Sequence, residues 1–226
     1  MMQNTDSAIN LGIATCNNSS LYFCKRYINP KPINTMLRTI VLMLLLTAST
    51  VFSQIMNPIN VQIRDINNRP ETLRRLSYEA KATVIIFFNQ QCTVCTQYIK
   101  TLNELNSMFA PQGVNMYLAF PDSAADLEQL QVFAMQYKIL IPIITDRKQE
   151  LTNSLKATST PQTFVLNNKG DILYNGRINN MFENLWLKRP KVTTQELTDA
   201  LTATLKNTNV KVKSTDVVGC AIQLTK

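Results

Sequence analysis

The chain has 226 residues, 45% of them apolar and 17% charged, which suits one domain of ordinary size with a real core and excludes a disordered or fibrous protein. It carries 23 Lys and Arg against 15 Asp and Glu, a net charge of +8, and no histidine. The missing histidine excludes Ser-His and Cys-His catalysis, histidine metal ligands and histidine pH switching.

Residues 1–35 are rich in Asn and Ser and show no periodicity. From Met36 the chain reads M-L-R-T-I-V-L-M-L-L-L-T-A-S-T-V-F-S-Q: a basic residue, Arg38, then a charge-free apolar run from Thr39 to Phe52, then small residues. That is the grammar of a secretory signal peptide, with cleavage expected after Ser53. The run is short for a membrane span, which needs about 20 apolar residues, so stable insertion is not expected once the signal is cleaved. Left uncleaved, the segment would be a membrane anchor. Both Met1 and Met36 stand as starts. The expected organisation is a leader over 1–53 with the signal at 36–53, a domain over 54–209 and a tail over 210–226, secreted or periplasmic. From residue 54 onward, 19 Lys and Arg face 14 Asp and Glu, a net charge of +5. The tightest basic groups, Arg74-Arg75 and Lys188-Arg189-Pro190-Lys191, have no aromatics between them, so a solvated basic face is expected and no nucleic-acid partner.

After the leader, Asn60–Asp65 alternates weakly, like an edge strand, and Leu73–Tyr78 reads as a short helix. Thr83–Phe88 (T-V-I-I-F-F) is a continuous β-branched and aromatic run, the pattern of a strand buried on both faces. Val94, Tyr98, Leu102, Leu105 and Phe109 then recur at helical spacing. Val114–Phe120 reads as a strand, and Ser123-x-x-Asp126 has capping-box form before a helical stripe of Leu127, Leu130, Ala134 and Tyr137. A short strand at Ile143–Asp146 and a short helix at Glu150–Lys156 follow. Gln162–Tyr174 reads as two strands around an Asn-Asn-Lys-Gly turn. Thr193-x-x-Glu196 opens a last helix carrying Leu197, Leu201 and Leu205; the tail from Val210 has no clear period. This order predicts an α/β fold, a central mixed β-sheet flanked by helices, with a C-terminal helix and tail.

Cys92 and Cys95, in F-F-N-Q-Q-C-T-V-C-T-Q-Y, stand where the first central strand gives way to a helix. A helix N-terminus stabilises an anion through its unsatisfied N–H groups and its dipole, so Cys92 is placed to be a thiolate nucleophile. Cys95, one turn on, is placed to resolve the mixed disulfide that Cys92 forms. Two other readings compete: half of a zinc site, which needs four ligands and finds no histidine here, and two inert buried thiols. No metal and no cofactor are expected. Pro161, in S-T-P-Q-T-F-V, stands directly before a strand.

With these elements in view, the chain resembles the thioredoxin-like superfamily, and within it the redoxin branch of AhpC/TSA, peroxiredoxin-like and TlpA-like proteins of bacterial extracytoplasmic type. The anchors are F-F-N-Q-Q-C-T-V-C, L-I-P-I-I-T-D (Leu140–Asp146), A-T-S-T-P-Q-T-F-V (Ala157–Val165), Y-N-G-R-I-N-N (Tyr174–Asn180) and V-V-G-C-A-I (Val217–Ile222). The resemblance implies a thioredoxin-like fold, Cys92 as nucleophile, Cys95 as resolving thiol, Pro161 as a cis-proline beside them and Thr160 as a substrate contact. It also implies protein or small-molecule disulfides as partners, or hydroperoxides, and an extracytoplasmic dithiol reductant. The chain departs from the thioredoxin pattern at Gln91, Thr93 and Val94, and Ile86 stands where thioredoxins bury an acid. It departs from the peroxiredoxin pattern at Asn89, where a Thr is usual, and its candidate peroxide-polarising arginine is Arg177.

Two residues remain. Cys220 reads either as a small packed hydrophobe or as a third redox thiol, if the tail folds back. Trp186, the single tryptophan, is expected to anchor the segment before the last helix to the core. Three functions stay open: a thiol-disulfide oxidoreductase, a thiol-dependent peroxidase in which Cys92 passes through a sulfenic acid, and a non-catalytic redoxin-fold scaffold with a structural disulfide.

Overall fold

The apolar run predicted as a fully buried strand is the centre of the sheet. In the computed structural model, which describes residues 60–122, 124 and 126–225, strand β3 (Ala82–Phe87) is buried at every position. It lies parallel to β4 (Val114–Phe120) on one side and antiparallel to β7 (Gln162–Leu166) on the other. Successive side chains point to opposite faces, so one run of six apolar and β-branched residues feeds two cores. Val84 and Ile86 pack with Val94, Leu102 and Leu105 of helix α2 (Thr93–Phe109). Ile85 and Phe87 pack with Leu151 and Leu155 of the short helix α4 (Glu150–Leu155).

Seven strands form the main sheet, in the order β2 (Pro70–Thr72), β1 (Gln62–Asp65), β5 (Ile143–Thr145), β4, β3, β7, β8 (Ile172–Gly176). Strands β3, β4 and β5 are mutually parallel; β1 and β2, and β7 and β8, are antiparallel pairs. The fold is the expected mixed sheet flanked by helices. Helices α1 (Leu73–Leu76), α3 (Leu127–Gln136) and α5 (Glu196–Leu205) complete it. Among the described residues no helix is long and apolar enough to cross a membrane. The leader and its signal-peptide expectation lie outside the described residues.

Four local expectations change. Strand β1 is not at the edge, because β2 pairs beyond it; Pro70 starts β2 on the outermost strand, where a missing N–H is tolerated. Helix α3 starts at Leu127 with Asp126 as its cap, the Asp126 carboxylate accepting the Glu128 N–H at 2.9 Å, while Ser123 lies outside the described residues. Helix α5 begins at Glu196, and the expected reciprocal cap with Thr193 does not form. The Thr193 hydroxyl instead accepts from the Asn180 amide at 2.6 Å, and Glu196 turns to Arg177. The tail is also structured: residues 213–215 lie along β8, and β9 (Cys220–Ala221) pairs with β6 (Ser159–Thr160).

Candidate redox site

The chain leaves β3 through a turn built by Asn89. Its side-chain carbonyl accepts from Gln91 N at 2.7 Å and its backbone carbonyl from Cys92 N at 3.2 Å. This places Cys92 at the N-cap of the 17-residue helix α2, in extended conformation, with no side chain capping the helix and no acidic residue in its first turn. The terminal N–H groups are left to act on the sulfur, which is the arrangement that favours a thiolate.

The partner of Cys92 comes from the other end of the sequence. Cys92 is disulfide-bonded to Cys220, 128 positions away, with 6.1 Å between Cα atoms. The expectation paired Cys92 with Cys95; the bond formed here is to the tail, and Cys95 is a free buried thiol. The tail has folded back and brings Cys220 to Cys92, so Cys220 is not the unpaired packed thiol of its first reading. It sits opposite Thr160 in the antiparallel β6–β9 pair, and the Thr160 hydroxyl donates to the Cys220 carbonyl at 3.3 Å. Ile222 N donates to Thr158 O at 2.9 Å.

Side chains hold the tail at both ends. The buried Gln149 amide donates to the Gln223 carbonyl at 2.8 Å, and its oxygen accepts from Thr225 N at 2.8 Å. Thr215 contacts the Tyr174 hydroxyl at 2.9 Å and accepts from Arg177 N at 3.0 Å. Gly176, at φ +151°, leaves room there; a Cβ would stand 2.9 Å from the Thr215 backbone.

Thr160 and Pro161 form the floor of the site. Their peptide bond is cis and both residues are buried. Cys92 Sγ lies 3.4 Å from the Thr160 carbonyl oxygen. Burial pushes the Cys95 thiol up to about 12; hydrogen bonds from the Asn89 backbone and the Thr160 side chain favour its thiolate but do not offset burial. The structure brings Asn89, Cys92, Cys95, Thr160, Pro161 and Cys220 together.

Arg177 is placed elsewhere. Its Nε donates to Glu196 Oε1 at 2.9 Å and its Nη2 bonds the same oxygen, so its guanidinium is committed to a buried carboxylate. Trp186 corrects its expectation outright: it is 92% exposed. Asn184 Oδ1 accepts from the Trp186 and Leu187 N–H groups, each at 2.9 Å, which closes a tight turn projecting from the Phe182–Lys188 bridge. Phe182 takes the core position, its ring 5.6 Å from that of Tyr98. A surface groove of about 570 Å³ beside Lys81, Asn167, Thr204 and Lys213 is lined by no cysteine.

Sequence reasoning missed Gly219, Gln149 and Thr215, the residues that seat the tail. The glycine before Cys220 was the one visible signal.

Residues 58–175, just over half of the chain, match the AhpC/TSA family. The chain belongs to the AhpC/TSA family. Among curated relatives it is similar to a thiol-disulfide oxidoreductase ResA of Geobacillus kaustophilus (strain HTA426), 28% identical over 99 residues, which cover 43% of this chain and 56% of that protein. The matched region therefore spans little more than half of the relative's length. Its fold is similar to that of an uncharacterized conserved protein from Geobacillus kaustophilus, with TM-score 0.65 and 22% identity over 75% of this chain and 93% of that one. An uncharacterized thioredoxin-like protein from Porphyromonas gingivalis shares the fold at TM-score 0.51 and 17% identity, covering 66% and 91%. The AhpC/TSA fold is thus shown in its thioredoxin-like form.

Proposed function

We propose that this AhpC/TSA protein is an extracytoplasmic thiol-disulfide oxidoreductase, with Cys92 as nucleophile, Cys95 as resolving thiol, and Thr160 and Pro161 shaping the place where a substrate disulfide binds. One observation carries the reading: Cys92, at the N-cap of α2, is engaged in a disulfide directly against Thr160 and Pro161. Cys92 is 2% exposed while the tail is seated, so exchange with a substrate follows the departure of Cys220. The likeness to the ResA protein and the apolar run Thr39–Phe52 support the activity and the location respectively.

In the forward step the Cys92 thiolate attacks one sulfur of a substrate disulfide, and the other substrate sulfur leaves as a thiolate and takes a proton. Cys95, after losing its own proton, attacks Cys92 and releases the second substrate thiol. An extracytoplasmic dithiol then returns the pair to the reduced state. The peroxidase alternative asks Arg177 to polarise a peroxide, and that guanidinium is bound by Glu196. A purely structural disulfide is the remaining competitor, and redox potential separates it.

The test is reduction of a disulfide substrate by the wild type, Cys92→Ser and Cys95→Ser under a supplied dithiol, with the potential of the Cys92–Cys220 bond measured alongside. Turnover lost in both variants, with a potential above about −250 mV, supports the reading; no turnover and a potential below about −300 mV makes the bond structural.

A further inference from the structure

The tail occupies a groove whose shape selects what can lie in it. We infer that the edge of β6 beside Pro161 binds an extended polypeptide whose reactive cysteine is preceded by glycine, and that Asp216–Thr225 is the chain's own copy of such a segment. The inference rests on the oxidoreductase reading and names its substrate class.

The attachment is main chain. Cys220 lies opposite Thr160, Ala221 opposite Ser159, and Ile222 N donates to Thr158 O at 2.9 Å. A β-strand added to a free edge is held by its backbone whatever its side chains, so specificity must come from positions where side chains meet the floor. Ala221 is exposed and Val217 and Val218 are half-buried. Position 219 alone is shut: a Cβ there would overlap the Thr160 carbonyl oxygen, 2.7 Å from the Thr160 carbonyl carbon and 3.1 Å from Pro161 N. These are backbone atoms of a segment that runs directly into β7, which is bonded on both sides. Any side chain before the cysteine lifts the strand by on the order of 1 Å to regain van der Waals distance. That displacement moves the cysteine sulfur away from Cys92.

The tail must leave before another segment enters, and the chain holds the means. The Cys95 thiolate, its proton given to solvent, attacks Cys92 Sγ. The Cys92–Cys220 bond breaks, a Cys92–Cys95 bond forms, and Cys220 departs as a thiolate that takes up a proton. No electrons are gained or lost. An external dithiol then reduces the Cys92–Cys95 bond, becoming a disulfide itself, and the Cys92 thiolate is free to attack the sulfur of an incoming cysteine held in a disulfide, whose other sulfur leaves as a thiolate and takes up a proton.

The experiment uses the full chain carrying Cys95→Ser and Cys220→Ser, which traps the Cys92 adduct and leaves the tail held by its hydrogen bonds alone, so that peptide supplied in excess displaces it. Two peptides are offered as glutathione mixed disulfides: the segment Asp216–Leu224 as it stands, and the same peptide with Gly219→Ala. Adduct formation at Cys92 is followed by mass spectrometry, with a small aromatic disulfide as a second substrate. The expected result is an adduct rate on the order of 100-fold higher for the glycine peptide, the cost of a misplacement of about 1 Å at the reacting atoms. Equal rates for the two peptides overturn the inference and leave the oxidoreductase reading standing. So does reaction with the small disulfide but with neither peptide. Reaction with none of the three sinks the oxidoreductase reading and the inference with it. Because both peptides meet the same protein, a folding defect cannot produce the difference.

Discussion

The Gln149 side chain and the backbone of Gln223 are joined by a hydrogen bond of 2.8 Å that runs from a buried amide to the last residues of the chain. Gln149 also donates to Pro121 O at 2.8 Å and accepts from both the N–H and the hydroxyl of Thr225. All four hydrogen-bonding positions of the amide are filled. Its backbone is left-handed, at φ 56°, a conformation that asparagine tolerates well. Gln149→Asn therefore keeps the backbone and shortens the reach. The expected loss is about 1–3 kcal/mol, the range for leaving buried polar partners unpaired. Limited carboxypeptidase digestion should trim the variant beyond Thr225 while the wild type resists; equal trimming would count against this anchoring.

Cys92, Cys95 and Cys220, the three cysteines among the described residues, should differ sharply in reactivity. After mild reduction, an alkylating reagent is expected to reach half-buried Cys220 first and Cys92, 2% exposed with the tail seated, once the tail departs; Cys95 is 0% exposed and its thiol is pushed up to about 12. The thiolate is the reactive form, so raising the pH from about 7 to about 9 leaves Cys95 overwhelmingly protonated and slow. Mass mapping after timed alkylation checks this. Labelling of Cys95 as fast as Cys92 would show that its burial does not persist in the reduced protein.

Glu196 ties the last helix to the segment carrying the tail anchor, and its effect depends on pH. Burial alone would raise its carboxyl; the hydrogen bonds from Arg177 and Thr194 outweigh burial and hold it below its ordinary value of 4.5. A lowered folded value means stability that is present above the ordinary value and is lost as pH falls through the folded one. Glu196→Gln should cost about 1.5–3 kcal/mol at neutral pH, the range for hydrogen bonds to charged groups. The deficit should shrink as pH falls below 4.5. Buried Asp146 has the opposite sign: burial raises it, so its contribution is full below 3.8 and is lost as pH rises through its folded value. Urea unfolding of wild type and Glu196→Gln across the acid range isolates the Glu196 part as their difference.

Trp186→Ala should change stability by no more than about 0.5 kcal/mol, as for a surface position without special contacts. Leu102→Ala, in the face of α2 buried against β3, should cost about 2–5 kcal/mol. Chemical denaturation of both variants makes the comparison. A Trp186 cost near that of Leu102 would restore the tryptophan to the core.

Much of the fold was legible because its signals are local. The two-faced run Thr83–Phe88, the stripe from Val94 to Phe109 and the turn between Gln162 and Tyr174 each announce an element through its neighbours in sequence. The three-residue strand Pro70–Thr72 is too short to carry a period. The caps at Ser123 and Thr193 matched a local rule, and the helices nonetheless start later. At the second, Glu196 binds the Arg177 guanidinium, supplied from 19 positions away. Trp186 was misjudged on size: large apolar residues are usually covered, but Phe182, four positions earlier, fills the place beside Tyr98.

The sequence by itself determined that a thiol pair stands at the junction of a buried strand and a helix, with a proline-led strand later in the chain, because spacing and hydrophobic period are written in neighbouring residues. Only the tertiary structure decided which cysteine Cys92 is bonded to. That pairing depends on Gly219 fitting against Thr160, on Gln149 and Thr215 seating the tail, and on 128 positions of intervening chain closing a loop. No local pattern encodes a contact of that separation; it exists because a short strand finds a free edge beside the helix N-terminus.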